Sequence, residues 1–478
     1  MPARIDGPRI SRARPLGRRV EVGRVAVLLS VGIGAFAVGF QRGSEVPSVP
    51  RPSAVVAPVA AVGGGAGGAG GAPASPGDGR VEASPVPAVT PIPVDALQAR
   101  LAALRKKYSS PGVSVTIIWP DGRQWTGVSG WANMRARVPV ATTTDFAIGS
   151  VSKTFIAALM LQLAEEGKLS LDDPLRRWLP TAHVPYRVTL RQMLDHTSGL
   201  YDFFSNPTID AALMADKRRT WTPARSLSYM RAAYFAPGTD WHYSNSNYVL
   251  LGQVVEKVTG HSVASELRRR FFTPLGMSRT FVQGIEPRRA TVATAYVQQG
   301  WGTSLRWINQ SDGTAIAPFT SVTTAAGYAG AIASSSRDLA IWAHAVYAGS
   351  VLTPESLAEM EDVSHSVSVG APRRYGLGFM EEWFGGRRTF GHNGRLVGSR
   401  TSIRYLPDSG FTIAIVTNQD RYLPDVIGTS LLNIAIPLPP PPPSYPTPTP
   451  SPTPTPTPFA TPTPTETPTL EPTTSPGP

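Results

Sequence analysis

Apolar and polar residues alternate in two pairs of short segments, one pair near each end of the central part of the chain. Segments 113–119 and 124–131 flank a Pro-Asp-Gly sequence, and segments 399–405 and 411–417 flank Pro-Asp-Ser-Gly. Strand-like runs separated by such turn residues are typical of β-hairpins. We therefore predict two hairpins that contribute to one antiparallel sheet, although they are far apart in the sequence.

A second pattern, with apolar residues every three or four positions, predicts helices. Its clearest example is 94–107, where residues 94, 97, 101 and 104 are apolar. The same spacing occurs in four further segments, namely 150–166, 189–196, 247–259 and 336–348, and we expect segment 424–436 to close the domain as a helix. Strands at both ends with helices between them predict an α+β fold, in which helices flank an antiparallel sheet and a mostly helical subdomain is inserted in the middle.

The N-terminal segments predict export from the cytoplasm. Residues 25–40 form an uncharged run of 16 residues after the Arg-rich segment 1–24, as in a signal peptide or a membrane anchor whose basic end stays in the cytoplasm. The run is slightly shorter than the roughly 20 residues that span a bilayer. We expect an extracytoplasmic protein, either secreted or anchored through residues 25–40, and the pattern leaves cleavage open.

Two segments of biased composition enclose the globular part of the chain, residues 92–436. Residues 41–91, rich in Gly, Pro and Ala, predict a flexible linker. Residues 437–478 form a Pro/Thr-rich tail, which cannot enter a helix or sheet interior because proline lacks an amide donor. Fully extended, its 42 residues would reach on the order of 130 Å. A stalk through a cell wall, with or without glycosylation, and an inert disordered tail remain equally open interpretations.

Composition and charge argue against several classes of function. The chain has no Cys, so thiolate metal sites and disulfides are impossible, and none of its 7 His occurs in an H-E-x-x-H or H-x-H pattern. We therefore expect neither a metal nor a cofactor. Residues 1–24 contribute +5 to the net charge of +12, and residues 92–436 contribute +9 through scattered Arg without interleaved aromatic residues, so we do not predict nucleic-acid binding.

Ser150 and Lys153 lie at the start of the predicted 150–166 helix, one turn apart. A serine at a helix N-terminus lies beside unpaired backbone N–H groups and the positive end of the helix dipole, which favour oxyanion formation. Lys153 falls on the same face, and a lysine in an apolar setting loses proton affinity, so it can act as a base. By itself the S-x-x-K pattern also fits a capping serine and a solvated lysine.

Two further motifs contain groups that suit acyl transfer. Tyr243 can pass a proton to a leaving group, and the Asn245 amide can both donate to and accept from a substrate amide. His392, Asn393 and Gly394 precede the second hairpin, where an edge strand with Gly lets a substrate lie along the backbone. Taken alone, each motif also fits a structural role, as a buried tyrosine with a capping Asn or as a partly exposed histidine.

The order and context of the three motifs together resemble the penicillin-recognising serine hydrolases, which comprise class C β-lactamases, D-alanyl-D-alanine carboxypeptidases and related esterases. Other segments agree with this resemblance, namely FAIG at 146–149, LDHTSGL at 194–200, PGT at 237–239, PLGM at 274–277 and YGLG at 375–378. The resemblance covers about residues 94–436 and implies a fold like that of the β-lactamases and DD-peptidases.

The resemblance also implies catalytic roles for the motif residues. Ser150 would be the acylated nucleophile, with Lys153 and Tyr243 as its base and proton shuttle. Asn245 would hold the substrate amide. The backbone N–H groups of Ser150 and Arg395 would form the oxyanion hole.

The third motif departs from the β-lactamase pattern. His392 replaces the Lys of class C β-lactamases, as it does in some carboxypeptidases and esterases. Asn393 replaces a Thr whose hydroxyl helps to hold a substrate carboxylate, and Gly394 is retained. These changes argue against a β-lactamase, and the Arg395 side chain is a candidate for the missing carboxylate contact.

We predict an exported serine hydrolase that works through a Ser150 acyl-enzyme, with D-Ala-D-Ala-type cell-wall peptides as the leading substrate class. An esterase and a β-lactamase are alternatives within the family, and a non-catalytic cell-wall-binding module on a Pro/Thr stalk is an alternative from another class. We expect a small-molecule or peptidoglycan-peptide substrate, no nucleic acid, and membrane contact only through an uncleaved N-terminal segment. The oligomeric state is not determined.

A Ser-His-Asp triad using His196 and Asp195 is a weaker interpretation. Hydrolases of that type carry their serine in a G-x-S-x-G turn, and the chain contains no such sequence. We expect His196 to support the fold near the site instead.

Overall fold

The computed structural model describes residues 91–436, except for 181–183, 185–186, 288–291, 301–305, 365–372 and 422–423. The predicted segments 1–24, 25–40 and 437–478 lie outside the described residues, as does the predicted linker 41–91 except for its last residue. Within the described ranges, no helix combines the length and apolar character that crossing a membrane requires.

The strands are β1 (Gly112–Ile118), β2 (Gln124–Asn133), β3 (Val138–Pro139), β4 (Phe146–Ala147), β5 (Phe281–Val282), β6 (Tyr296–Gln299), β7 (Arg306–Asn309), β8 (Ile332–Ser334), β9 (Arg373–Tyr375), β10 (Met380–Phe384), β11 (Arg387–Leu396), β12 (Ser399–Leu406) and β13 (Phe411–Thr417). Eight of them form the central antiparallel sheet, in the order β3-β2-β1-β13-β12-β11-β10-β9. Both predicted hairpins are confirmed, as β1–β2 and β12–β13. Pairing of β1 with β13 joins the two ends of the domain into one sheet.

The helices are α1 (Val94–Lys107), α2 (Ser152–Glu165), α3 (Leu175–Trp178), α4 (Leu190–Leu194), α5 (Ile209–Ala215), α6 (Pro223–Leu227), α7 (Asn245–Thr259), α8 (Val263–Leu267), α9 (Thr320–Ala326), α10 (Ser336–Tyr347), α11 (Pro354–Glu361) and α12 (Pro424–Ala435). All six predicted helical segments are present, with small differences at their ends. The largest difference is that the 189–196 segment shortens to α4, which starts after a capping box formed by Thr189 and Gln192.

Helices cover both faces of the sheet, as the α+β prediction required. The terminal helices α1 and α12 pack on one face, and α10 packs against β1, β12 and β13 on the other. The alternation along β1 follows from this arrangement, since Val113 and Val115 lie in the α1–α12 core while Ser114 and Thr116 hydrogen-bond Ser336 at the start of α10. Because both faces are covered, every residue of β1 is buried.

Candidate active site

Two glycines bring the segment before α2 into direct backbone contact with β11. A short 3₁₀ turn, Gly149–Val151, leads into α2 and carries Ser150. Gly149 has a φ of +53°, and a Cβ there would lie 2.6 Å from the Arg395 carbonyl oxygen. A Cβ at Gly394 would lie 1.9 Å from the Ile148 carbonyl oxygen. Only glycine allows this approach, which sets the backbone at Ser150 against that of Arg395.

Lys153 is completely buried one turn beyond Ser150. Its Nζ lies 3.2 Å from Ser150 Oγ, 2.8 Å from Asn245 Oδ1 and 3.0 Å from the Ala329 carbonyl oxygen. Burial lowers the pKa of Lys153 to about 7, although the Asp202 charge opposes this effect. Lys153 is therefore largely uncharged above neutral pH.

The three partners of Lys153 can accept the three N–H groups of an ammonium form. The neutral amine, which burial favours, has two N–H donors and one lone pair. The carbonyl oxygens of Asn245 and Ala329 can only accept, so in the neutral form they take the two N–H groups. In that form the lone pair faces the Ser150 hydroxyl, which is the arrangement that a general base requires.

Tyr243 lies beside the nucleophile and the base. Its ring centroid is 4.8 Å from Lys153 Nζ. Burial raises the pKa of the Tyr243 phenol far above its usual value, and the neighbouring Ser150 hydroxyl lowers it only in part. Among the described residues the phenol oxygen has no hydrogen-bond partner of normal geometry. Tyr243 therefore keeps its proton at neutral pH.

His196 supports the segment that carries Tyr243. Its Nδ1 accepts from the Ser244 backbone N–H at 3.2 Å and lies 3.1 Å from Asn247 Nδ2. Burial lowers the pKa of His196 well below its usual value, so the ring is uncharged. These contacts agree with the predicted supporting role of His196.

Asn245 is the first residue of α7, and its side chain is committed to the protein. Its Oδ1 accepts from Lys153, while its Nδ2 donates to the buried Asp202 carboxylate at 3.2 and 3.3 Å. In the structure this amide links Lys153 to Asp202, and its Oδ1 keeps a second acceptor position, so the predicted contact with a substrate amide stays a prediction. Asp202 was not among the residues predicted from the sequence, where its only signal is its place two residues after the LDHTSGL segment.

His392 and Gly394 point toward the Ser150 side of the sheet. His392 is buried, with Nε2 2.9 Å from the Tyr375 hydroxyl and Nδ1 2.6 Å from the Asn393 carbonyl oxygen. A carbonyl oxygen only accepts, so Nδ1 carries a proton, and both ring nitrogens are engaged. The interpretation of His392 as a partly exposed histidine is therefore wrong, since its side chain is buried. Tyr375 belongs to the YGLG segment, for which the sequence suggested no role.

Asn393 points to the opposite face of the sheet, because side chains alternate along a strand. Its Oδ1 accepts from Arg404 at 2.6 Å, and its Nδ2 lies 3.3 Å from Glu382. Arg404 is fully buried and also pairs with Glu382 at 2.5 Å. The expectation that the Asn393 side chain contacts a substrate is therefore corrected, since it belongs to a buried ion-pair network under α12.

The strand that carries the third motif is not at the edge of the sheet, contrary to our expectation, since β10 and β9 lie beyond it. Its pairing with β10 nevertheless ends at Gly391, so among the described residues 392–396 pair only with β12. This part of β11 is locally an edge, next to Ser150.

Arg395 on β11 pairs across the strands with Arg400 on β12. Burial, together with the charge of Arg395, lowers the pKa of Arg400 to about 10.

The profile of the Beta-lactamase family matches residues 97–434. The chain belongs to the Beta-lactamase family. This assignment confirms the predicted relationship to the penicillin-recognising serine hydrolases and their fold. Among the described residues, no three His, Asp or Glu side chains are grouped so that they could hold a metal ion in this family member.

Relatives within the family carry several names. The D-aminopeptidase of Cereibacter sphaeroides is 26% identical over 333 residues, which cover 68% of this chain and 60% of that protein. Penicillin-binding protein 4 of Amycolatopsis lactamdurans is 27% identical over 341 residues, covering 67% of this chain and 84% of that protein. Penicillin-binding protein 4* of Bacillus subtilis is 37% identical over 158 residues, covering 32% of this chain. The chain thus spans about three fifths of the Cereibacter relative and 34% of the Bacillus one.

Solved structures of the family superimpose on most of the domain. The D-stereospecific amidohydrolase from Streptomyces sp. has a TM-score of 0.59 at 28% identity, covering 72% of this chain and 98% of that protein. The D-amino acid amidase from Ochrobactrum anthropi SV3 has a TM-score of 0.61 at 24% identity, covering 71% of this chain and 97% of that protein, and shows the shared fold alone.

Proposed function

We propose that the protein is an exported serine hydrolase that forms an acyl-enzyme on Ser150 and cleaves amide bonds next to D-amino acid residues. The observation that carries this proposal is the distance of 3.2 Å between Nζ of the completely buried Lys153 and Ser150 Oγ. A serine whose base is within hydrogen-bonding distance, and is uncharged at working pH, is activated for attack.

In the proposed reaction Ser150 Oγ attacks the substrate carbonyl carbon while Lys153 accepts the hydroxyl proton. The backbone N–H groups of Ser150 and Arg395 hold the oxyanion, since Gly149 and Gly394 bring those two backbones together. Tyr243 gives its proton to the leaving nitrogen and takes the proton held by Lys153, while the C–N bond breaks and the amine departs. Water then gives a proton to Lys153 as it attacks the ester carbonyl, and this proton returns to Ser150 Oγ as the ester C–O bond breaks and the acid is released.

The names of the relatives support substrates that contain D-amino acid residues. One relative that covers about two thirds of this chain is a D-aminopeptidase, and a structure that covers 72% of it is a D-stereospecific amidohydrolase. D-Amino acid amides and peptides are therefore the substrate class to test first.

The third motif argues against a strong requirement for a substrate carboxylate. Both ring nitrogens of His392 are engaged inside the protein, and the Asn393 amide faces the other side of the sheet. A carboxypeptidase needs donors or a positive charge where the C-terminal carboxylate lies. Arg395 does not supply it, because it lies two positions after Asn393 on β11 and so belongs to the same face of the sheet as Asn393. The geometry therefore favours an amidase or aminopeptidase type of substrate.

A D-Ala-D-Ala carboxypeptidase is the second candidate. It is supported by the penicillin-binding protein of Amycolatopsis lactamdurans, which matches 67% of this chain. The expected location outside the cytoplasm, where cell-wall peptides are found, supports it as well. Cell fractionation with and without a deletion of residues 25–40 would test that location.

One set of incubations separates the candidates. The full chain would be incubated with D-alanine p-nitroanilide, L-alanine p-nitroanilide, acetyl-D-Ala-D-Ala, p-nitrophenyl acetate and a fluorescent penicillin, and intact mass would report acylation. We expect turnover of the D-anilide, none of the L-anilide, and loss of activity in Ser150→Ala. Release of D-alanine from acetyl-D-Ala-D-Ala without anilide turnover would favour the carboxypeptidase, and turnover of the ester alone would indicate an esterase.

Three further outcomes would overturn the proposal. Rapid turnover of the penicillin without activity on amides would identify a β-lactamase. Binding to peptidoglycan without acylation by any of these probes would identify the non-catalytic wall-binding module. Activity retained in Ser150→Ala would show that Ser150 is not the nucleophile.

A further inference from the structure

We propose that Asp202 is a positioning residue for this reaction. Its carboxylate fixes the orientation of the Asn245 amide, and that amide in turn directs the lone pair of Lys153 at the nucleophile. The inference rests on the proposed function, because it concerns the state of the base in acyl transfer.

Asp202 is built into the site by backbone contacts. It is 1% exposed and precedes the 3₁₀ turn Phe203–Ser205, where its Oδ1 accepts from the Phe204 N–H at 3.3 Å. The same oxygen accepts from the backbone N–H of Asn245 at 3.2 Å. Ser246 ties the turn to α7, since its Oγ accepts from the Phe203 N–H at 3.1 Å and donates to the Tyr201 carbonyl oxygen at 2.7 Å.

The carboxylate determines which way the Asn245 amide points. An ionised carboxylate can only accept hydrogen bonds, and the Asn245 Nδ2 lies 3.2 and 3.3 Å from its two oxygens. With Nδ2 held there, Oδ1 faces Lys153 Nζ at 2.8 Å and takes one of its N–H groups. In the reversed orientation an N–H of Asn245 would compete with Ser150 for the lone pair of Lys153.

Asp202 also supplies negative charge opposite the base. Burial lowers the pKa of Lys153, and the Asp202 charge raises it. The other groups that face Lys153 are the rings of Tyr243 and Tyr248, 4.8 and 5.4 Å from Nζ, and His196, which burial keeps uncharged. Asp202 faces Tyr243 and Tyr234 as well, both of which stay protonated because their pKa values are raised.

The test is the pH dependence of kcat/KM for the full-length Asp202→Asn variant. The probe is p-nitrophenyl acetate between pH 5 and 9, with Ser150→Ala as the blank. We expect kcat/KM at pH 8 to fall about 10²-fold, the lower end of what a positioned general base contributes. We also expect the acid limb to move about one pH unit lower, because the charge that favours protonated Lys153 is gone.

Asp338→Asn is the matched control. Asp338 is also 1% exposed, and its carboxylate accepts from the Arg279 N–H at 2.8 Å and from Thr280 Oγ1 at 3.0 Å, at the start of α10. Burial raises the pKa of both Asp202 and Asp338. We expect Asp338→Asn to lower stability and to keep the wild-type acid limb, since no contact links it to Lys153.

A double variant, Asp202→Asn with Asn245→Asp, exchanges the two side chains. The amide oxygen placed at position 202 would still accept from the backbone N–H groups, and the amide nitrogen there would donate to the new carboxylate at position 245, which faces Lys153. We expect kcat/KM about tenfold above that of Asp202→Asn and an acid limb at higher pH than in the wild type, because the charge now lies next to the amine. If Asp202→Asn does not fold, the acid limb of the double variant, compared with that of the wild type, tests the positioning role of Asp202.

The outcomes separate this inference from the proposed function. If the wild type turns over the ester through Ser150 but the acid limb of Asp202→Asn coincides with those of the wild type and Asp338→Asn, the positioning role is wrong. A double variant no better than Asp202→Asn, with an unmoved limb, would also overturn it. If the wild type itself is not acylated at Ser150, the proposed function fails and this inference fails with it.

Discussion

Replacing Gly394 by alanine tests whether the contact between β11 and the nucleophile segment sets activity. The new Cβ would lie 1.9 Å from the Ile148 carbonyl oxygen, 3.1 Å from the Ile148 carbonyl carbon and 3.2 Å from Thr401 Cβ. Real Cβ contacts are almost never shorter than 3.0 Å. The strand and the segment that leads into Ser150 must therefore separate by at least about 1.1 Å, which is the difference between these two distances.

This separation would act directly on the proposed oxyanion hole, whose two donors lie on opposite sides of the contact. A misplacement of about 1 Å costs on the order of 10²-fold in rate, or about 2.7 kcal/mol of transition-state stabilisation. The overpacking itself costs about 1–3 kcal/mol of folding stability. We expect Gly394→Ala to fold, with a lowered unfolding free energy and kcat/KM reduced about a hundredfold.

Gly391→Ala is the control, on the same strand. Its Cβ would also lie 1.9 Å from a carbonyl oxygen, that of Ile403, but the clash is with β12 and not with the nucleophile segment. We expect similar destabilisation and a much smaller loss of kcat/KM. Esterase rates per mole of folded protein, together with urea unfolding, measure both effects. The reasoning is refuted if Gly394→Ala loses no more activity than Gly391→Ala.

Three further changes probe the base, the phenol and the ion pair behind the sheet. In the wild type we expect kcat/KM to rise about tenfold between pH 6 and pH 8, because burial lowers the pKa of Lys153 to about 7 and only the deprotonated amine is a base. Lys153→Arg should lose about 10²–10⁴-fold at all these pH values, since a guanidinium does not deprotonate, as pH-rate profiles would show. Tyr243→Phe should lower kcat/KM by a similar factor without loss of stability in thermal unfolding, since the phenol oxygen is buried without a hydrogen-bond partner among the described residues. Arg404→Met should reduce the unfolding free energy by about 3–5 kcal/mol, because it removes one partner of the buried Arg404–Glu382 ion pair, and should leave kcat/KM per folded molecule unchanged.

Each of these expectations has a result that contradicts it. A flat wild-type profile from pH 6 to 8 would mean that Lys153 is not the titrating base. A Tyr243→Phe variant with full activity would remove the phenol from the mechanism. An Arg404→Met variant that keeps its stability but loses activity would show that the network behind the sheet reaches the site.

Most of the scaffold is predictable from local pattern because burial of one face leaves a period in the sequence. The two hairpins and the six helical segments have their predicted positions, and Gly and Pro residues mark their ends. Boundaries are less predictable. For example, α7 starts at Asn245, two residues before the predicted segment, because Ser244 is extended and held by His196.

The residue types and their order were sufficient to nominate Ser150, Lys153 and Tyr243. Their chemistry depends on groups that local pattern does not connect. The pKa of Lys153 depends on its complete burial and on Asp202, and the direction of its lone pair depends on Asn245 and Ala329, which are 92 and 176 positions away. Sequence patterns report which side chains are available, whereas burial and hydrogen bonding depend on the packing of distant segments.

By itself, then, the sequence determined the α+β scaffold, the family and the three motifs. Tertiary structure decided which atoms of those motifs face one another. Because side chains alternate along β11, the Asn393 side chain points into the buried network around Arg404, whereas His392 and Gly394 lie on the Ser150 side. Contact between Asp202 and Asn245 joins segments 43 positions apart. The physical reason is that a side chain's direction and its electrostatic surroundings are properties of the packed chain, and neighbouring residues in the sequence supply only part of them.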